Sequence, residues 1–219
     1  MSDPAPQATE ASPVQPAPAK RLDALVERLA ADGYASADDI LPLPLIASLR
    51  AELIALAEAG ALGTAGIGRK TAYRQDGDIR RAAIRWLDGG TEAERDLLAI
   101  AETLRQAINA RLFLGLFDFE CNYIAYPVGG FYGRHLDSLQ GARNRVVSFV
   151  AYLDPDWTIE DGGALNLWRQ PEDEGLPAET VLPQAGRMVL MLSEEIPHEV
   201  LPAHRPRHAI AGWWRINRA

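Results

Sequence analysis

The chain has 219 residues, 47% of them apolar, which suits one domain with a real core plus extensions. Its 22 basic and 30 acidic side chains give a formal net charge of −8, which excludes general affinity for nucleic acid, because that needs a basic footprint. A single cysteine, Cys121, excludes an internal disulfide, and no apolar run approaches the ~20 residues of a membrane span.

Residues 1–19 are rich in Pro and Ala and poor in large apolar side chains, so they read as a disordered tail. The start of the chain lacks the positive region and apolar core of a signal peptide, and with one thiol this suggests a soluble, cytoplasmic protein. Leu22, Leu25, Val26 and Leu29 recur at helical spacing and stop at Gly33. Ile46, Leu49, Leu53, Leu56 and Ala57 mark a second amphipathic helix, ended by Gly60. Residues 61–90 are rich in Gly and Arg with little periodicity, which suggests a long loop or hairpin. Arg69, Lys70, Arg74, Arg80, Arg81 and Arg85 make it a local positive segment on an acidic body, suited to steering an acidic partner. Thr91 and Glu94 form a capping box that opens a third helix, with Leu97, Leu98, Ala101, Leu104 and Ile108 on one stripe, ended by Gly115.

The texture changes at Phe117. Short β-rich runs at 117–126, 146–153, 163–168, 187–192 and 208–215 alternate with Gly/Pro turns. Helices followed by many short strands imply an α+β, mostly β chain: N-terminal helices over 20–115 and a jelly-roll-like barrel over 116–219, together one domain over 20–219. Cys121 falls within one of these strands and reads as a small buried hydrophobe.

His135 and Asp137 form a His-x-Asp pair, and residues two apart on a strand share a face. Three other histidines exist: His198, His204 and His208. His198 follows an apolar strand at a plausible barrel rim. Two imidazoles and one carboxylate make the facial triad that holds Fe(II) and leaves positions open. His204 and His208 are four apart, a spacing that serves zinc on a helix, but Pro206 between them opposes a helix. Arg207 shares strand parity with Ala209, Ala211 and Trp213, and the two small side chains leave room for a small ligand beside it. An inward Arg needs an anionic partner, and its planar fork suits a carboxylate. Arg205 is the competing arginine.

At these residues the chain resembles a known family, the prolyl hydroxylases of the oxygen-sensing type and their bacterial relatives, within the 2-oxoglutarate- and Fe(II)-dependent dioxygenases. The resemblance runs from about residue 70 to the C-terminus. It rests on Tyr126-Pro, Tyr132-Gly-Arg-His135-Leu-Asp137, Tyr152-Leu-Asp-Pro-Asp-Trp157, Gly162-Gly163-Ala-Leu, Pro197-His198-Glu-Val200 and Arg207-His-Ala-Ile-Ala-Gly-Trp213, in family order, and on Ile79-Arg80-Arg81-Ala-Ala-Ile-Arg85-Trp86-Leu, which resembles the start of a substrate-covering loop. The resemblance implies a double-stranded β-helix. It implies that His135, Asp137 and His198 bind iron, that Arg207 and Tyr152 hold the distal carboxylate of 2-oxoglutarate, and that Tyr126 and Tyr132 line that pocket. Arg80, Trp86 and Arg145 would meet the substrate, and no catalytic residue is needed beyond these ligands. Fe(II), 2-oxoglutarate and O2 are the implied cofactor and co-substrates, with ascorbate as an added ligand. The implied partner is a protein with an exposed proline, translation factors being one class; nucleic acid and membrane are not expected partners, and monomer and dimer stay open. An oxygenase acting on a free amino acid or other small molecule, and a non-catalytic cupin-like binding module, are the alternatives.

Overall fold

The structure is a computed structural model, and it describes residues 19–65, 79–139 and 144–216. The expected tail over 1–18, and Arg69, Lys70 and Arg74, lie outside the described residues. Three helices, α1 (Ala19–Asp32), α2 (Leu43–Glu58) and α3 (Glu92–Leu112), stand where the apolar stripes place them, except that α1 already begins at Ala19. Eleven described strands follow in chain order: β1 (Tyr34–Ala37), β2 (Gly63–Thr64), β3 (Ala83–Trp86), β4 (Asp118–Tyr126), β5 (Tyr132–His135), β6 (Val147–Tyr152), β7 (Leu165–Leu167), β8 (Glu179–Val181), β9 (Met188–Leu192), β10 (His198–Val200) and β11 (Arg207–Arg215).

From β4 onward the chain passes back and forth between two antiparallel sheets. The larger has the order β1-β9-β6-β11-β4-β3-β2, and the smaller β5-β10-β7-β8. This is the jelly-roll arrangement of a double-stranded β-helix. Strand parity sorts the side chains of the larger sheet. Phe149 and Ala151 of β6, Leu190 of β9, and Ile210 and Trp214 of β11 face the helices and pack on Leu25, Leu29, Leu49, Leu53, Leu97 and Leu104. Their neighbours Ile124, Tyr126, Tyr152, Val189 and Ala209 face the smaller sheet and meet Leu165, Leu167 and Val200. The helices thus act as a pad behind the larger sheet and hold its inner face open toward the barrel interior. Leu97 is fully buried in that pad, so its truncation to Ala costs about 2–5 kcal/mol.

The segment over 61–90 takes the hairpin form of the two expected: among its described residues β2 and β3 pair antiparallel, and β3 continues the larger sheet beside β4. Three expectations need correction. Arg85 is not part of a free positive patch, because its guanidinium lies 3.6 Å from Glu94 of α3. Thr91 does cap α3 by accepting the Glu94 N–H, but the Glu94 carboxylate turns away to accept the N–H groups of Asp88, Gly89 and Gly90, so the box is not reciprocal. Helix α3 ends at Leu112 rather than running on to Gly115: Phe113 takes the left-handed conformation, and Arg105 and Asn109 draw Leu116 back onto the helix. Strands β1, β5, β8 and β10 were not among the expected runs. They are three or four residues long, too short for period-two alternation to stand out.

Candidate active site

Strands β5 and β10 pair in the smaller sheet with His135 opposite His198. Asp137 lies two residues past the end of β5, so strand parity does not aim it; a turn does. The three side chains nonetheless converge, with one ligand atom from each lying within 4.8 Å of the others. His135 Nε2 is 3.5 Å from Asp137 Oδ1, and His198 Nε2 is 3.6 Å from Oδ2. Among the described residues no other His, Cys, Asp and Glu cluster has this form.

The ring orientations are set from behind. His135 Nδ1 lies 2.8 Å from the Gly133 carbonyl and His198 Nδ1 3.0 Å from the Ile196 carbonyl. A carbonyl only accepts, so both Nδ1 atoms carry the proton and both Nε2 lone pairs point at the cluster. Burial, with His135 beside it, pulls the His198 imidazole down to about 4, so at neutral pH it is the uncharged, ligating form. Burial opposes the charge on Asp137, but the two imidazoles outweigh it and hold the carboxyl well below its usual range. Two residues that sequence reasoning missed complete the support: Ser148 Oγ donates to Asp137 Oδ2 at 2.7 Å, and Ser193 Oγ lies 2.8 Å from Ser148 Oγ. Their signal was present, since each is a small polar residue in an otherwise apolar run.

Arg207 opens β11 opposite Tyr126, is only 2% exposed and points between the sheets. Its guanidinium carbon lies 4.9 Å from the Tyr126 ring centre and 5.1 Å from that of Tyr152. Among the described residues no carboxylate pairs with it. Arg207 Nε, the Tyr152 hydroxyl, Asn122 Oδ1 and Trp213 Nε1 are all buried without a hydrogen-bond partner of good geometry among the described residues. Burial pushes the Tyr152 phenol up to about 12 against the opposing pull of Arg207, so at neutral pH it is a donor. All four side chains share inward strand parity. Gly163 is required here: its φ is +64°, and a Cβ would come within 3.0 Å of the Arg207 side chain.

The rival assignments fail on contacts. Arg205 is engaged by the Pro155 and Asp156 carbonyls, by Asp161 and by the Trp157 ring. His204 bonds the Glu160 carbonyl, while His208 bonds Asp154, which also receives Arg50. The two imidazoles therefore have separate partners and do not form a zinc pair.

The three other candidates fall into two groups of contacts, one on Tyr132 and one on Trp213. Tyr132 stacks on the His135 ring at 3.6 Å between centres, and the Arg80 guanidinium carbon lies 4.6 Å from the Tyr132 ring centre. Backbone bonds from Arg81 N–H to the Phe131 carbonyl and from Gly133 N–H to the Ile79 carbonyl lay residues 79–81 along β5. Arg145 sits 3.6 Å over the Trp213 ring and is fixed by Glu120. Trp86, 48% exposed, contacts Trp213 at 6.2 Å.

Residues 121–215 match the family described as the 2OG-Fe(II) oxygenase superfamily. A solved prolyl-4-hydroxylase from Pseudomonas putida is 42% identical, with a TM-score of 0.80, across 89% of this chain and 98% of that one. The chain belongs to this superfamily, in its prolyl hydroxylase branch. A prolyl hydroxylase from Trichoplax adhaerens, solved with a hypoxia inducible factor peptide fragment, is 26% identical with a TM-score of 0.79, over 90% of each chain. Human Egl nine homolog 1 is 28% identical over 214 residues, which are 91% of this chain and 48% of that protein. The chain thus spans about half the length of this human relative. In this family member, Cys121 is a buried thiol pushed up to about 12 by burial, and no described helix is long and apolar enough to cross a membrane.

Proposed function

We propose that this chain is an Fe(II)- and 2-oxoglutarate-dependent dioxygenase that hydroxylates a proline in a partner protein. The observation that carries the reading is a buried arginine without a carboxylate partner, beside an orphaned phenol, in the same barrel interior as an open His-Asp-His cluster. A buried cation needs an anion, and a dicarboxylate supplies one at the arginine while its other end reaches toward the metal.

His135 Nε2, His198 Nε2 and one oxygen of Asp137 hold Fe(II). Arg207 and Tyr152 hold the distal carboxylate of 2-oxoglutarate, and Tyr126 and Tyr132 line the pocket. When bound, iron and 2-oxoglutarate supply the oxidation, in which O2 gives one atom to succinate as CO2 leaves and the other to a substrate C–H as hydroxyl. The chain's own task is to fix the ligands, exclude water and aim the substrate. No side chain acts as a general base, because the substrate hydrogen does not leave as a proton to the protein. Ascorbate would serve as an external reductant that keeps the iron ferrous, and a single buried thiol suits a cytoplasmic setting. The catalytic domain in this reading begins with α1 at Ala19 and carries both the helices and the barrel.

Arg80 is one aromatic ring from the cluster, through Tyr132 and His135, while Trp86 and Arg145 both contact Trp213; in this reading the three meet the peptide. The likeness to the Trichoplax enzyme, solved with a peptide, favours a protein target over a free amino acid. The test is purified chain with Fe(II), 2-oxoglutarate and a cell extract, read as succinate release and as one oxygen atom gained on proline. Replacing residues 72–84 with a short Gly/Ser linker should collapse protein hydroxylation and leave uncoupled 2-oxoglutarate turnover. Turnover on free amino acids would favour a small-molecule oxygenase, and no succinate at all a cupin-like binding module.

A further inference from the structure

We propose that Ser148, backed by Ser193, is the positioning residue that presents Asp137 to the metal through a single oxygen. The inference rests on the metal site proposed above and adds a residue pair to it. Asp137 lies past the end of β5, where no ladder bond fixes it. Its support comes from the other sheet. Ser148 Oγ donates to Asp137 Oδ2 at 2.7 Å, and the neighbouring Ser138 N–H donates to the Ser193 carbonyl at 3.1 Å. Ser193 is itself tied, through its N–H, to the Val146 carbonyl at 3.0 Å.

The direction of the hydroxyl chain follows from proton count. An ionised carboxylate only accepts, so Ser148 must give it its one proton. The 2.8 Å contact with Ser193 then has one consistent sense, Ser193 donating to Ser148. Ser148 is 1% exposed and Ser193 0%, so water does not compete for these bonds. A buried relay of this kind strengthens each member. Both serines stand in or at the end of strands of the larger sheet, β6 and β9, while His135 and His198 stand in the smaller one. The relay therefore locks the turn carrying the acidic ligand onto the opposite wall of the barrel.

The consequence is chemical. Oδ1 lies 3.5 Å from His135 Nε2 and Oδ2 3.6 Å from His198 Nε2, so both oxygens face the cluster, and it is the Ser148 bond to Oδ2 that leaves Oδ1 as the oxygen free to ligate. One-oxygen ligation preserves the positions that a chelating co-substrate and oxygen need; a carboxylate free to rotate could take two. Removing the hydroxyl also makes the carboxylate slightly more basic, which alone would favour the metal. Loss of orientation outweighs that, because partners of metal ligands of this kind typically contribute about 10–100-fold in affinity.

The experiment is anaerobic titration of the metal-free chain with Co(II), read by its visible ligand-field spectrum and by calorimetry. Ser148→Ala should weaken Co(II) about 10–100-fold and change the spectrum, whereas Ser148→Thr, which keeps the hydroxyl, should restore both. Ser193→Ala should give a smaller shift in the same direction. Circular dichroism of each metal-free variant checks that the fold is kept, and the Thr variant keeps the test decisive if the Ala variant is impaired. Unchanged affinity and spectrum in folded Ser148→Ala would overturn the positioning role, as would a Thr variant no better than Ala. If the unaltered chain bound no Co(II), the metal-site reading would fail instead, a separate outcome.

Discussion

Arg207→Met separates a residue kept for a ligand from one kept for the fold. The side chain is 2% exposed, and among the described residues no carboxylate pairs with it. An isolated buried charge carries a penalty of several kcal/mol. The faces of Tyr126 and Tyr152, at 4.9 and 5.1 Å, return about 1 kcal/mol each, less together than that penalty. The ligand-free protein is thus strained at Arg207 by roughly 1–3 kcal/mol. Methionine keeps the length and removes the charge, so ligand-free Tm should rise, by about 2–4 °C per kcal/mol for a chain of this size. With Mn(II) in place of iron and 2-oxoglutarate at about a hundred times its Kd, the unaltered chain should gain about 2.7 kcal/mol and melt correspondingly higher. The variant should gain nothing. The assay is thermal denaturation by circular dichroism with and without 2-oxoglutarate. A variant that melts below the parent and still responds to 2-oxoglutarate would refute the argument, because Arg207 would then be a structural cation.

Four further outcomes are expected. His135→Ala, Asp137→Ala and His198→Ala should each abolish metal binding measured by calorimetry, while His204→Ala and His208→Ala, whose partners are Glu160 and Asp154, should leave it intact. Arg207→Lys keeps the charge and loses the fork, so 2-oxoglutarate binding should weaken by about 1–3 kcal/mol. Tyr152→Phe removes one donor and should weaken the same equilibrium by less, about 1 kcal/mol, with Arg205→Ala near parental. Asp154→Asn should destabilise the fold at neutral pH by about 1–3 kcal/mol. Burial opposes the Asp154 charge, but the His208 and Arg50 bonds outweigh it and lower its pKa, so its contribution is full above the ordinary value of 3.8 and fades as pH falls through the lower folded value. Acid unfolding curves of the two proteins should therefore converge below that pH, and a constant gap would show that the ion pair is not the cause.

The helices were legible because three apolar stripes run over three or more turns each, long enough for periodicity to rise above noise. Short strands were not, since β5 and β10 carry four and three residues and owe their existence to pairing within the smaller sheet, β10 with both β5 and β7. Glu94 shows the same limit at one residue. Its spacing from Thr91 predicts a reciprocal cap, but three backbone N–H groups at 88–90 compete for its carboxylate and win.

The sequence by itself determined the ligand types, the order of the motifs and the parity that puts Arg207, Ala209, Ala211 and Trp213 on one face, because these follow from residue chemistry and the two-residue repeat of a strand. Only the tertiary structure could choose Arg207 over Arg205, disqualify His204 and His208, and bring Ser148 and Ser193 to Asp137. Those choices depend on which partners a side chain finds 11 to 54 residues away, and local pattern carries no information about such distances.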